Sequence, residues 1–378
     1  MPEVPTMKGL KFDIEASADA YDGLPFHLAL RGDLADPADT LLKLRALLSF
    51  DRRATRYAIQ RTVRCAVRRP LEALFDDLAL HTDLIAQRLD STSLLLDGPG
   101  VFVSANGRRK IDYGSCTFEI WAASLNRLDA VRTTLLSIVG EQLVRREMFT
   151  IDWHFSTGNM GLSSASFDEM ADPAPYNEAY PTLMEPVAAF IERYLASRET
   201  VLILQGPPGT GKTRLVRAIL AAMSARKADS AKVLYTADKR ALENDEIFVE
   251  FITGSHDAFV VEDADHLLMA RANGNVDLHR FLAVADGVVR AQGRKIIFTT
   301  NLPNVGDIDE ALVRPGRCFA TVRTRALGRS EAEALIARIS DAELRQDLTT
   351  EVDYSLAADV RSITLAALYR MVGANIER

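Results

Sequence analysis

The stretch VLILQGPPGTGKT, Val201 to Thr213, constrains this chain more than any other. A buried-type strand runs into Gly206, Pro207, Pro208, Gly209, Thr210, Gly211, Lys212 and Thr213, and a helical pattern follows. The G-x-x-x-x-G-K-[ST] spacing therefore sits in the strand, loop and helix context that it requires. Glycines let backbone N–H groups turn inward around phosphate oxygens, and the helix brings its positive end to the same point. On this reading Lys212 holds the β and γ phosphates as a point charge, and the Thr213 hydroxyl is a ligand of Mg²⁺. Such a loop belongs to a parallel sheet covered on both faces, and residues 183–325 alternate short apolar runs with amphipathic helices as that sheet demands.

The second constraint is FVVEDADHLL, Phe259 to Leu268, where an apolar strand ends in two carboxylates. With AKVLYTA as an intervening strand, this end should lie beside the phosphate loop, at the carboxyl edge of one sheet where ligands bind. One carboxylate must orient Mg²⁺ or its water, and another must polarise the attacking water. Glu262 takes the first place and Asp263 the second. Phosphate-loop ATPases usually show Asp and then Glu here, so each side chain differs by one methylene, in opposite directions. Charge is kept and reach is altered, and misplacement by an ångström costs on the order of 100-fold. An inactive site would show a neutral residue, so the pair is read as functional, with Asp265 as a cap or a supporting partner.

Two further stretches, KIIFTTN and DIDEALVRPGRCF, complete a set that resembles the AAA family of ATPases over about residues 180 to 375. The resemblance implies ATP and Mg²⁺ as bound species and ATP hydrolysis as the activity. It implies that Asn301 stands beside the γ-phosphate, and that Arg314 and Arg317 are arginine fingers reaching the nucleotide of a neighbouring subunit. Two arginines on a Pro-Gly turn present planar forks outward, whereas an isolated RPGR would read as a surface salt-bridge pair. Sites shared in this way imply a homo-oligomer, a ring of six or a helical filament. The Glu-Asp order also occurs in the branch containing the mitochondrial translocase of the Rieske iron-sulfur protein, although this chain lacks the membrane span of that translocase. VRSITLAALYRM is similar to a helix of the family's lid, with Ser362 in its serine position. No separate sensor-2 arginine is evident, and Arg361 reads as a solvated helix residue.

The expected fold is an α/β phosphate-loop core with a C-terminal helical lid, preceded by a mixed α+β domain. Residues 1–160 form the N-terminal domain, 161–182 a Pro- and acid-rich linker, 183–325 the large ATPase subdomain and 326–378 the lid. Within the first domain Arg61, Arg64 and Arg68 fall on one helical face, and Trp121 and Trp153 read as core. In IFVEFI, Phe248 and Phe251 read as the buried side of a short helix rather than as pore aromatics.

A chain of 378 residues with 48% apolar content can bury several cores, and its formal charge of -7 does not suggest nucleic acid. A nucleic-acid motor would need a basic stripe with exposed aromatics. The three cysteines have no metal or redox spacing and read as reduced thiols of a cytoplasmic protein. The N-terminal MPEVPTMKGLKFDIEAS does not look like a signal peptide, and no run is long and apolar enough for a membrane span. The expectation is an ATPase that remodels or translocates a protein, recognised through the N-terminal domain. A nucleotide-gated assembly protein with slow hydrolysis is the alternative.

Overall fold

The computed structural model describes residues 59–376 except 111–112, 141–142, 145–147, 158–160, 228–229, 270–279, 282–292 and 340–361. Two compact units divide the chain, Met1–Arg145 and Arg146–Arg378.

The first unit holds a six-stranded antiparallel sheet in the order β2-β3-β4-β5-β1-β6. Its strands are β1 (Ile59–Val67), β2 (Ile85–Arg88), β3 (Ser93–Gly98), β4 (Val101–Arg109), β5 (Gly114–Ala122) and β6 (Leu143–Val144). Helices α1 (Leu71–His81) and α2 (Leu125–Val139) pack on it. Ser124 caps α2 by accepting a hydrogen bond from the Arg127 N–H, and Gly140, at φ +58°, ends it in a conformation that favours glycine. Leu74, Phe75 and Leu78 of α1 meet Val103, Phe118 and Ile120 of the sheet in one buried cluster.

The arginines expected on a helix lie elsewhere. Arg61 and Arg64 belong to β1 and point to opposite faces of the sheet, and Arg68 falls just beyond the strand. Pairing of β1 along its whole length with β5 overrides the local i, i+3 spacing. That register also sets Cys65 opposite Cys116, so two free, buried thiols far apart in the chain are neighbours. Trp121 is half-buried beside Leu95 and Phe102.

The second unit holds a seven-stranded sheet in the order β13-β9-β12-β11-β10-β7-β8. The strands are β7 (Met148–Ser156), β8 (Leu162–Met170), β9 (Val201–Gln205), β10 (Ala231–Thr236), β11 (Ala258–Val261), β12 (Lys295–Thr300) and β13 (Cys318–Arg323). All neighbours are parallel except β7 and β8. Helices α3 (Val187–Ala196), α4 (Lys212–Lys227), α5 (Asp245–Thr253), α6 (Asp265–Leu268), α7 (Arg329–Ile339) and α8 (Leu365–Ile376) accompany it.

Both faces of the sheet are buried, as the continuous apolar strands require. Leu202 and Leu204 pack with Phe190, Tyr194, Leu215 and Ile219 on one side, and Leu335, Leu365 and Leu368 of the C-terminal helices join the same cluster. Ile203 and Phe298 pack with Phe248, Phe251 and Phe259 on the other. Phe248 and Phe251 are core residues, each with an aromatic ring of Phe259 beside it.

The boundary between the domains differs from the expected one. β7 pairs in parallel with β10 and carries β8 with it, so residues 148–170 extend the phosphate-loop sheet instead of closing the N-terminal domain. The segment read as a linker is also built in, since Tyr180 is buried in the core beside α4. Alternation along β7 reports a half-buried strand but not the sheet it joins. Its outer face leaves Trp153 45% exposed, in contrast to the expected core position. The N-terminal segment before residue 59 and Arg361 lie outside the described residues.

Candidate functional site

The carboxyl ends of β9, β11 and β12 meet at the start of α4. The loop from Gly206 to Gly211 closes there because its glycines accept conformations that other residues resist: Gly209 and Gly211 have φ of +76° and +91°. At Gly206 a Cβ would come within 2.2 Å of the Thr324 carbonyl oxygen, so only hydrogen fits. The Thr210 hydroxyl donates to the Pro207 carbonyl at 2.7 Å and contacts the Thr324 hydroxyl at 2.7 Å. Thr210 is thus a buried staple of the loop, and the site uses its backbone alone.

A cavity of about 430 Å³ opens over this loop. Pro208, Gly209, Gly211, Lys212, Thr213, Glu262, Asp263 and Asn301 line it, together with Arg214, Thr299, Leu365, Ala366 and Tyr369, so most of the residues expected from sequence converge. The Lys212 ammonium donates to the Gly206 carbonyl at 2.6 Å, the Pro207 carbonyl at 3.0 Å and Asn301 Oδ1 at 2.9 Å. Burial holds its pKa below the usual lysine range, and the negative charges of Asp263, Asp265 and Glu262 oppose that shift.

Asn301 connects this cation to the second carboxylate. Its Nδ2 donates to Asp263 Oδ1 at 3.0 Å while its Oδ1 accepts from Lys212. Asp265 fixes Asn301 in turn, accepting the Asn301 backbone N–H at 2.8 Å, which is the supporting role expected of it. Asp263 has φ +50°, the only positive φ outside glycine among the described residues. Its backbone N–H donates to Thr299 Oγ1 at 3.1 Å, and that bond holds the strained conformation in place.

Glu262 faces the start of α4. Its Oε1 accepts from the Thr213 hydroxyl at 2.6 Å and its Oε2 from the Tyr235 hydroxyl at 2.8 Å. A hydroxyl and a carboxylate side by side are the sparse oxygen set that Mg²⁺ accepts when phosphates and water complete its shell. The residues fit that ion, and Thr213 and Glu262 would hold it.

The arginine turn is separate from the cavity. Arg314 is exposed, and Arg317 donates to the Ala311 carbonyl of its own turn. Neither lines the cavity.

Sequence reasoning missed several contributors. The Tyr180 hydroxyl donates to the Gly211 carbonyl at 2.9 Å, and the Ala366 N–H donates to the Gly209 carbonyl at 3.0 Å. The Arg214 guanidinium lies 4.4 Å from the ring centre of Tyr369 at the far end of the cavity. No local pattern marks these residues, because their partners arrive from distant segments.

Residues 202–325 match the family described as ATPase family associated with various cellular activities (AAA), so the chain carries an AAA ATPase domain. Over 234 residues it is 25% identical to the vesicle-fusing ATPase of Dictyostelium discoideum, covering 57% of this chain and 30% of that protein. Over 198 residues it is 30% identical to the ATPase family gene 2 protein of Schizosaccharomyces pombe, covering 45% and 23%. The proteasome-activating nucleotidase of Methanosphaerula palustris is 29% identical over 184 residues, 44% of each chain. The match thus spans less than half the length of each of these relatives. No helix among the described residues is long and apolar enough to cross a membrane.

Proposed function

We propose that this chain hydrolyses ATP with Mg²⁺ at sites shared between subunits of an oligomer, and uses the energy to remodel or translocate a protein. The observation that carries the reading is the continuous link from Lys212 through Asn301 to Asp263, beside the Thr213–Glu262 pair, in one cavity. The loop N–H groups and the first turn of α4 would hold the phosphates. Lys212 would exchange its loop carbonyls for phosphate oxygens. Asp263 would accept the proton of the attacking water, which Asn301 aligns. Bound Mg²⁺ would neutralise charge on the β and γ oxygens.

Arg314 would act on the cavity of a neighbouring copy, which supports a closed ring, six subunits being the expectation, or a filament. The relatives' names support protein remodelling as the output, and the N-terminal unit is the element we assign to partner recognition. The Glu262–Asp263 order supports a place near the Rieske-translocase branch, and the free, well-separated Cys318 together with the reduced Cys65 and Cys116 suits a cytoplasmic protein.

The deciding experiment is steady-state hydrolysis over a wide range of protein concentration. The expected rate per subunit climbs as subunits associate and collapses in Arg314→Ala. A flat, near-zero rate with tight ATP binding would overturn hydrolytic remodelling and favour the nucleotide-gated assembly.

A further inference from the structure

Resting on the reading above, we infer that Tyr235 is a positioning residue for the metal-side carboxylate. Its hydroxyl holds one oxygen of the Glu262 carboxylate while the Thr213 hydroxyl, which borders the phosphate-loop cavity, holds the other. Glu262 is held by two hydroxyls, one on each carboxylate oxygen, and they come from different sides of the sheet edge: Thr213 from α4 and Tyr235 from the end of β10. When Thr213 turns its oxygen to the ion, the Tyr235 bond is the one that still fixes the carboxylate. Partners behind a ligand commonly govern both its orientation and the affinity of the metal.

Tyr235 is itself held. Its ring stands edge-on to Trp153 of β7, with centroids 5.5 Å apart and planes at 86°, and Trp153 meets Phe167 of β8 at 6.4 Å. These three rings line a second cavity of about 380 Å³ that also reaches Thr213 and Glu262. An aspartate would carry the same pair of oxygens one methylene nearer the backbone, so the longer glutamate sets how far the carboxylate reaches toward Thr213 and Tyr235. The added strands β7 and β8 thereby bear on the metal site without touching it.

The test uses the full chain and three variants, Tyr235→Phe, Glu262→Gln and the double substitution. Phenylalanine keeps the ring stack and removes only the hydroxyl. Equilibrium binding of a fluorescent ATP analogue is measured in EDTA and across a Mg²⁺ titration, with steady-state hydrolysis alongside. The expected result for Tyr235→Phe is an unchanged affinity in EDTA and a half-saturating Mg²⁺ concentration raised by roughly 10-fold. Adding it to Glu262→Gln should change nothing further, because the tyrosine acts through that carboxylate. An unshifted Mg²⁺ dependence, an equal shift in the Glu262→Gln background, or a loss of affinity in EDTA would each overturn the inference. A wild-type protein that binds no nucleotide with Mg²⁺ would overturn the ATPase reading along with it.

Discussion

Two buried lysines mark the two edges of the seven-stranded sheet, and their surroundings differ in kind. Lys212, 8% exposed at the carboxyl edge, and Lys295, 2% exposed at the start of β12, each donate to oxygens of nearby loops. Lys295 bonds to the carbonyls of Ser197 and Glu199 and lies 4.7 Å from the ring centre of Tyr194, enclosed by its partners. Lys212 faces a cavity and three carboxylates. The same solution to burying an ammonium therefore serves architecture at one edge and, on the proposed function, ligand chemistry at the other. What separates them is the parallel topology, which sends the loops after β9, β11 and β12 to a single edge.

The sharpest way to break this contrast is to divide the carboxyl-edge machinery between copies. Arg314→Ala and Asp263→Asn should each lower kcat by about 1,000-fold, the scale of an arginine finger or a general base. Mixing the two variants should restore part of the rate, because an intact Asp263 then meets an intact Arg314 from its neighbour. Rates that stay additive on mixing would show that Arg314 serves its own cavity or none.

Next in size is Lys212→Met, for which nucleotide affinity should fall by about 100-fold, the worth of a strong charged hydrogen bond. Isothermal titration measures it, and an unchanged affinity would remove the phosphate role. Lys295→Met should leave nucleotide affinity unaltered and act on stability alone.

Burial lowers the Lys295 pKa to about 8, below its unfolded value, so between these values the unfolded chain binds the extra proton and wild-type stability rises with pH. Below that window both states are protonated, and the burden of the buried charge is fully present. Relative to Lys295→Met, the wild type should gain about 3 kcal/mol across the window, read from urea unfolding at successive pH values. A constant difference would show that Lys295 titrates as an ordinary lysine.

Much of the site was legible because its residues are bound by short-range geometry. A phosphate loop must be strand, glycine turn and helix in immediate succession, so positions 201–213 carry their own context. Asp263 follows because parallel strands deliver their ends to the same edge, whereas Asn301 is placed by the resemblance of KIIFTTN to a strand of the AAA family. Membership of β7 in that sheet was hidden, since the sequence MFTIDWHF records alternation but not the identity of its partner. Tyr235 was invisible for a related reason: its meaning lies in Glu262, just past β11, and in Trp153 of β7. The arginines of β1 mislead because i, i+3 spacing is a local signal, and long-range pairing with β5 outweighs it.

The bonds from Tyr180 to the Gly211 carbonyl and from the Ala366 N–H to the Gly209 carbonyl have a mechanical consequence. They rivet the phosphate loop to the segment before α3 and to the first turn of α8. Any displacement of Gly209 or Gly211 must therefore either break one of these bonds or move the attached segment with it.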